Sequence, residues 1–137
     1  MMVSCEYLSD VISRSPYSFS TGVVTSANFP SNYPLNYKKT DMIMVDQGMV
    51  ISLQFTKFDV YSSDVYLMFT TTVCKDYLSI TDGDGTLLME ETCGTSLPDN
   101  ITSTSNLVQL HFKSSYEDNN MRGWSLQWRA VVPGKFI

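Results

Sequence analysis

Hydrophobic and polar residues alternate along several short stretches of this chain. Every second residue is apolar from Met49 to Phe55, from Val108 to Phe112 and from Trp124 to Trp128, and a shorter stretch runs from Leu78 to Ile80. Such alternation gives a β-strand one apolar face. No stretch keeps the apolar spacing of an amphipathic helix over three turns. The pattern therefore predicts an all-β chain whose strands share one core.

Turn residues and irregular segments divide these strands. Asp82-Gly83-Asp84-Gly85 follows a predicted strand, and glycine accepts positive φ, so a hairpin turn is expected there. The stretch from Tyr61 to Val73 is either an extra strand or a long apolar loop. Residues 1–20 show no clean period and are interpreted as a lead-in or linker. A domain is predicted over residues 21–133, with residues 134–137 as a C-terminal tail.

The composition is that of one globular domain. The chain has 137 residues, of which 43% are hydrophobic and 17% are charged, which is enough to bury a single core. Its net charge is -5, and no basic stripe is present to neutralise phosphates, so nucleic acid is not an expected partner. No apolar run approaches the roughly 18 residues that cross a bilayer, so this chain is not expected to insert into a membrane.

Residues that could support catalysis are few. His111 is the only histidine, and it lies between Leu110 and Phe112 on a predicted strand, where it is expected to point outward without an orienting partner. The sequence contains no serine-hydrolase, zinc-protease or phosphate-cradling glycine motif. Enzyme activity is therefore not expected of this chain.

The run Asn28-Phe29-Pro30-Ser31-Asn32-Tyr33-Pro34 is the most distinctive motif. Each proline follows an aromatic residue, fixes its own φ and disfavours helix at the preceding position, so the run is predicted to be extended. Its asparagine and serine side chains can form the local hydrogen bonds of turns.

The three cysteines leave at least one without a partner in the chain. Cys74 precedes one predicted strand and Cys93 follows the next, so a hairpin would bring them together in a disulfide. The alternative is a pair of buried thiols in a reduced, cytosolic protein. Cys5 has no evident partner. The first residues, Met1 to Glu6, lack the features of a secretory signal, so the chain is either a domain of a longer protein, which is favoured, or cytosolic.

In this order and spacing, the proline run, Asp76 to Gly83, Cys93-Gly94 and Gly123-Trp124 resemble the CUB domains of extracellular and plasma-membrane proteins. The resemblance covers roughly residues 22–131. It implies a two-sheet, mostly antiparallel β-sandwich of the jelly-roll type in an extracellular setting, either secreted or in the ectodomain of a membrane protein.

The chain departs from the family pattern at one cysteine. The family usually carries four cysteines in two sequential pairs, and the second of these positions is occupied by Lys39. The resemblance thus implies the Cys74–Cys93 disulfide and leaves Cys5 without its usual partner.

Many CUB domains bind calcium through three carboxylates at one end of the sandwich, and calcium needs six to eight oxygen ligands. The matching positions here are Tyr61, Asp76 and Ser115, so only the second is acidic. Ordinary acidic loops are the favoured interpretation, in which Asp76 accepts hydrogen bonds near Tyr33 or from loop amides. Calcium remains a possible cofactor, for which nearby acidic residues could substitute: Asp59, Asp64, Glu117 and Asp118.

Two kinds of surface site are predicted. Asn100-Ile101-Thr102 is a sequon for N-linked glycosylation on a turn after Pro98. Tyrosines in or near loops are good anchors for protein contacts, although they could instead be half-buried under neighbouring loops. These candidate partner-binding residues are Tyr33, Tyr37, Tyr61, Tyr66 and Tyr116.

The leading functional hypothesis is a non-catalytic extracellular recognition module that binds a protein, as part of a larger secreted or membrane-anchored protein such as a protease or receptor. One alternative is a free-standing, carbohydrate-binding protein that resembles spermadhesins. The other is a structural or oligomerising segment linked through Cys5.

Overall fold

The computed structural model describes residues 21–66, 70–116 and 120–134, with the backbone alone for 64–66 and 70–73. No helix occurs among these residues. Their ten strands are β1 (Thr21–Thr25), β2 (Lys38–Met44), β3 (Val50–Asp59), β4 (Ser63–Tyr66), β5 (Thr70–Val73), β6 (Tyr77–Asp82), β7 (Leu87–Thr92), β8 (Ile101–Thr102), β9 (Leu107–Lys113) and β10 (Gly123–Val131).

Eight of the strands form two four-stranded sheets. The strand order is β1-β10-β3-β8 in one sheet and β2-β9-β6-β7 in the other, and the strand pairs of both are antiparallel. The two sheets face each other across one hydrophobic core. The predicted two-sheet, antiparallel β-sandwich is confirmed.

The core is built from the alternating positions that the sequence singled out. Trp124 is the largest of the fully buried side chains, and Phe112 packs edge-on against it with ring centroids 6.1 Å apart. Both sheets contribute apolar side chains, so burial of one face per strand holds the layers together. Other almost fully buried residues are Ile43, Ile51, Leu53, Leu78, Ile80, Val108, Leu110, Leu126 and Trp128.

A β-bulge places an additional ring in this core. Phe55 and Phe58 are three residues apart and would face opposite sides of a regular strand, yet both are buried. Ser125 of β10 pairs with Lys57, whereas the next residue pairs with Phe55, so Thr56 is the extra residue on β3. The bulge brings the two phenylalanine rings into edge-to-face contact, with their centroids 5.6 Å apart.

The proline run is only partly extended. Residues 27–30 form a turn, in which Asn28 has φ of 67°, the Phe29–Pro30 peptide is cis and the Ser31 amide donates to the Asn28 carbonyl at 2.6 Å. The prediction that the run is extended is therefore wrong for residues 27–30. The left-handed conformation, which asparagine tolerates better than most residues, reverses the chain here.

The segment from Tyr61 to Val73 contains the two short strands β4 and β5, which pair antiparallel with each other in a separate two-stranded sheet. The segment therefore forms a small hairpin of two strands. The sequence left open a single extra strand or a long apolar loop, and the structure shows neither. Residues 67–69 between the two strands lie outside the described residues, as do the predicted lead-in 1–20 with Cys5. The domain limits remain a prediction.

The inner face of β2 carries an ion pair where the family has its second cysteine. The ammonium of Lys39 lies 3.1 Å from the Asp41 carboxylate, and the two side chains are 29% and 11% exposed. Both residues line the same cleft as Val24 and Ser26, which belong to the first strand and the loop after it. Charged side chains therefore occupy this edge of the sandwich.

Gly123 allows the loop after β1 to sit directly on β10. It has φ of 94°, and a Cβ there would collide with the Ser26 hydroxyl oxygen and lie 3.4 Å from the Tyr33 ring. The Trp124 amide donates to that same hydroxyl at 3.0 Å, and the Ser26 amide donates to the Trp124 carbonyl at 3.0 Å. A side chain at position 123 would break this contact.

We predict that Gly123→Ala destabilises the domain much more than Gly85→Ala. Both glycines have positive φ, which costs alanine on the order of 1 kcal/mol, but only Gly123 also has a close neighbour. Urea unfolding of the two purified variants measures the difference in free energy of unfolding. Equal losses in the two variants would contradict the steric argument.

Candidate functional site

A disulfide and a short β-bridge gather three chain segments at one end of the sandwich. Cys74 and Cys93 are bonded, which confirms the predicted pairing. Beside Cys93, Gly94 and Val60 exchange backbone hydrogen bonds of 2.7 and 2.9 Å. The residues after β3, β5 and β7 are therefore held together next to Asp76, which immediately precedes β6.

Asp76 is a fully buried carboxylate that accepts hydrogen bonds from two other loops. The Tyr33 hydroxyl donates to its Oδ2 at 2.7 Å, and the Ser115 amide donates to its Oδ1 at 2.8 Å. The Tyr61 amide donates in turn to the Tyr33 hydroxyl oxygen at 3.1 Å. A buried polar group is costly unless it is hydrogen-bonded, so these contacts fix the loops relative to one another. We call this loop cluster, formed by residues 26–37, 60–62, 74–76, 114–116 and 120–122, the Asp76 end.

Further hydrogen bonds join the loop after β1 to the loop after β9. The Asn36 amide donates to the Ser115 carbonyl at 2.9 Å, and the Ser114 hydroxyl donates to the Pro34 carbonyl at 2.6 Å. The Asn32 side-chain amide donates to the Asn120 side-chain oxygen at 3.2 Å. The two loops therefore form one continuous surface.

The described residues do not fit a calcium site of the family type. Tyr61 and Ser115 occupy two of the three carboxylate positions, and both oxygens of Asp76 already accept hydrogen bonds. The Asp59 carboxylate accepts a hydrogen bond from the Arg122 amide at 3.0 Å. Across the part of the chain that is described, no group of three or more His, Cys, Asp or Glu side chains is arranged so that it could hold a metal ion. The side chain of Asp64, and Glu117 and Asp118, lie outside the described residues.

The predicted tyrosine anchors differ in exposure. Tyr33 is 4% exposed, and its ring packs edge-on against Phe112 with centroids 5.0 Å apart, so it is a core residue and not a surface anchor. Tyr37 and Tyr61 are half-buried, whereas Tyr116 is 74% exposed. The side chain of Tyr66 is outside the described residues. Leu35, which the sequence reasoning did not select, is 42% exposed on the same end.

Asp82, at the other end of β6, is a second buried carboxylate that sequence reasoning treated as a turn residue. It accepts hydrogen bonds from the Gly83 amide (2.9 Å), from the amide and hydroxyl of Thr104 (2.8 and 2.6 Å) and from the Ser105 hydroxyl. Burial raises its pKa, but these donors outweigh burial and lower the pKa to about 2. Its inward position has a signal in the sequence, because it shares the period of Leu78 and Ile80.

His111 lies half-buried on the outer face of its sheet. Its ring nitrogens contact the hydroxyls of Thr40 at 3.1 Å and Thr81 at 2.9 Å. Burial lowers the pKa of the imidazole below its ordinary value. Its two described partners are threonine hydroxyls, which give an imidazole base no carboxylate to orient it.

The chain belongs to the CUB domain family, whose sequence model matches residues 14–128. The fold and the disulfide define an extracellular module of this class. CUB domains are generally non-catalytic, and homologues mediate protein–protein interactions outside the cell.

Relatives place the module in longer proteins. Human cubilin is 35% identical over 120 residues, which cover 86% of this chain and 3% of cubilin. Mannan-binding lectin serine protease 1 (MASP-1) of Mus musculus is 31% identical over 112 residues, which cover 81% of this chain and 15% of the protease. The extracellular setting of such homologues confirms the predicted location. In the described residues no helix has both the length and the apolar character of a membrane span.

The solved structures agree with the fold. The MASP-1 CUB2 domain bound to Ca2+ superposes with a TM-score of 0.67 at 29% identity, covering 79% of this chain and 90% of that one. The extracellular region of zebrafish Gpr126/Adgrg6 superposes with a TM-score of 0.66 at 20% identity, which supports the fold alone.

We predict that Tyr33→Phe destabilises the domain by about 1–3 kcal/mol, because it removes the donor to Asp76 and the acceptor of the Tyr61 amide while preserving the ring. Urea unfolding measures the loss. Tyr37→Phe, at a half-buried tyrosine nearby, is the matched control and is expected to change little. A Tyr33→Phe variant as stable as the control would show that the network contributes nothing.

We also predict a distinct acid response for Asp82. Because its folded pKa of about 2 lies below the ordinary value of 3.8, the carboxylate stabilises the fold above about pH 4. That contribution is lost as the pH falls from 4 towards 2. Asp82→Asn should therefore be less stable at pH 6 and lose less stability between pH 4 and 2, as measured by urea midpoints. Asp99→Asn, at an exposed position, should follow the wild type, and identical pH profiles for all three proteins would contradict the assignment.

Proposed function

We propose that this chain is a non-catalytic recognition module of a larger extracellular protein, and that it binds a protein partner through the Asp76 end. The observation that carries this proposal is the pair of exposed anchors there, Tyr116 at 74% and Leu35 at 42%. They lie next to Asn36 and Ser115, whose backbones are hydrogen-bonded at 2.9 Å. Large exposed apolar groups on one fixed surface favour protein contact over a solvated loop.

The network below this surface supports binding by a preformed site. Asp76 and Tyr33 are buried and hydrogen-bonded to each other, and the Cys74–Cys93 disulfide holds the segment on which Asp76 stands. Loops ordered before a partner arrives lose less conformational entropy on binding. Tyr116 adds a large contact area with few rotatable bonds, which is typical of interface hot spots.

We further propose that the site does not depend on calcium. The MASP-1 CUB2 domain is bound to Ca2+ in its solved structure, but this chain has tyrosine and serine at two of the three positions where the family resemblance implies carboxylates. The hydrogen bonds from Tyr33 and Ser115 to Asp76 order the loops in place of a metal. We also propose that this chain is not catalytic. The described partners of His111 are threonine hydroxyls and not a carboxylate that would orient the imidazole as a base, which supports this proposal.

No specific observation on the described residues favours the covalent oligomer or the carbohydrate-binding protein. Cys5, on which a covalent oligomer would depend, lies outside the described residues. The carbohydrate-binding alternative, a protein resembling spermadhesins, is not proposed, and the binding experiment below includes it as a competing outcome.

We predict that Tyr116→Ala and Leu35→Ala each weaken partner binding by about 10-fold or more, since hot-spot truncation costs upwards of about 1.4 kcal/mol. The test screens the chain against purified extracellular domains from the same species and measures each hit by surface plasmon resonance. The matched control is Leu87→Ala, because Leu87 is 55% exposed at the start of β7, remote from the Asp76 end. Thermal unfolding verifies that all variants are folded.

The same affinities are measured with calcium and with a chelator, and no difference is expected. Wild-type affinity in both loop variants would refute the proposed surface, and binding lost in the chelator would refute its metal independence. Binding to a glycan array without any protein ligand would favour the carbohydrate-binding alternative.

A further inference from the structure

A groove with apolar walls and a polar rim runs along one open edge of the sandwich, between the edge strand of each sheet. It has a volume of about 430 Å3, and the β7 residues Leu88 and Met89 form one side. Pro98, in the segment that leads into β8, and Ile101, the first residue of β8, form the other side. Leu88, Met89 and Ile101 pack against the core and are only partly buried, so the core is open to solvent here.

Both strands at this edge have a free side. Within the described residues β7 pairs with β6 and β8 pairs with β3, and neither has a second neighbour. Unpaired strand edges over partly exposed apolar residues invite association with other chains, and natural proteins cover or charge them. Glu90 and Asp99, both exposed on the rim, supply such charges.

The glycosylation sequon lies on the rim of this groove. Asn100 is exposed and lines the groove, and the next residue, Ile101, is part of its apolar wall. We propose that an N-linked glycan on Asn100 lies over the groove and covers the open edge between β7 and β8. The first sugars of such a glycan can pack their carbon-rich ring faces on Leu88, Met89 and Ile101.

The charge of the rim favours a glycan over a second copy of the chain. A twofold dimer through this edge would place the acidic rims formed by Glu90 and Asp99 against each other, and like charges in contact are unfavourable. The inner sugars of an N-linked glycan are neutral and avoid that repulsion. A glycan on Asn100 requires only the extracellular setting and does not depend on the proposed partner surface.

The test follows oxidation of Met89 by dilute hydrogen peroxide in protein secreted from cells that glycosylate. Intact mass spectrometry is expected to show a glycan on the wild type and on Thr102→Ser, which keeps the sequon, but not on Asn100→Gln or Thr102→Ala. Met89 should oxidise several-fold more slowly in the two glycosylated proteins. Met42, half-buried on β2 away from the groove, is the internal reference and should oxidise equally in all four.

If a variant fails to fold, the glycan can instead be removed enzymatically from the folded wild type. This removal should restore the fast oxidation of Met89. Wild type secreted without a glycan at Asn100 would overturn the proposal. So would a glycosylated protein in which Met89 oxidises as fast as in the unglycosylated variants. Protection of Met89 that rises with the concentration of unglycosylated protein would identify a second copy as the occupant instead.

Discussion

Two buried carboxylates bracket β6, and the loops at both ends of the sandwich depend on them. Asp76 stands just before the strand and Asp82 is its last residue, and both side chains are at most 1% exposed. An ionised carboxylate removed from water is strongly unfavourable unless donors surround it. The loops that supply those donors are therefore held in place: those of Tyr33 and Ser115 at one end, and that of Thr104 and Ser105 at the other.

At the Asp76 end this constraint combines with covalent and aromatic contacts. The Tyr33 hydroxyl bonds to Asp76 while its ring packs edge-on against Phe112, so one side chain links the loop to the core and to the carboxylate. The disulfide restrains Cys74, two residues before Asp76. Hydrogen bonds from the chain's own donors thus hold this end together, which supports the proposal that it needs no calcium.

The alternation of apolar residues predicted the sandwich and most of its core, because burial of one strand face leaves a period of two in the sequence. It could not predict that Phe58 faces inward, since that depends on the bulge at Thr56 and on its register with β10. The family resemblance pointed to Asp76 and Tyr33, but the sequence left open whether the Tyr33 ring is exposed or covered, and in the structure it is 4% exposed. The Tyr33 hydroxyl finds its acceptor on Asp76, which is distant in the sequence. The residues around Tyr33 do not reveal that contact, so they do not predict its burial.

The two proposed surfaces lie on different sides of the molecule, and the topology separates them. Leu35 lies in the β1–β2 connection and Tyr116 in the β9–β10 connection, and β1 and β2 are the edge strands opposite β8 and β7. The topology therefore places the proposed glycan on Asn100 at the β7–β8 edge, and the exposed ring of Tyr116 in a loop at one end of the strands. The glycan would cover the unpaired edges of β7 and β8, whereas the partner would bind the loops at the ends of the strands. Because edges and strand ends are different parts of an antiparallel sheet, both can be occupied in the same molecule.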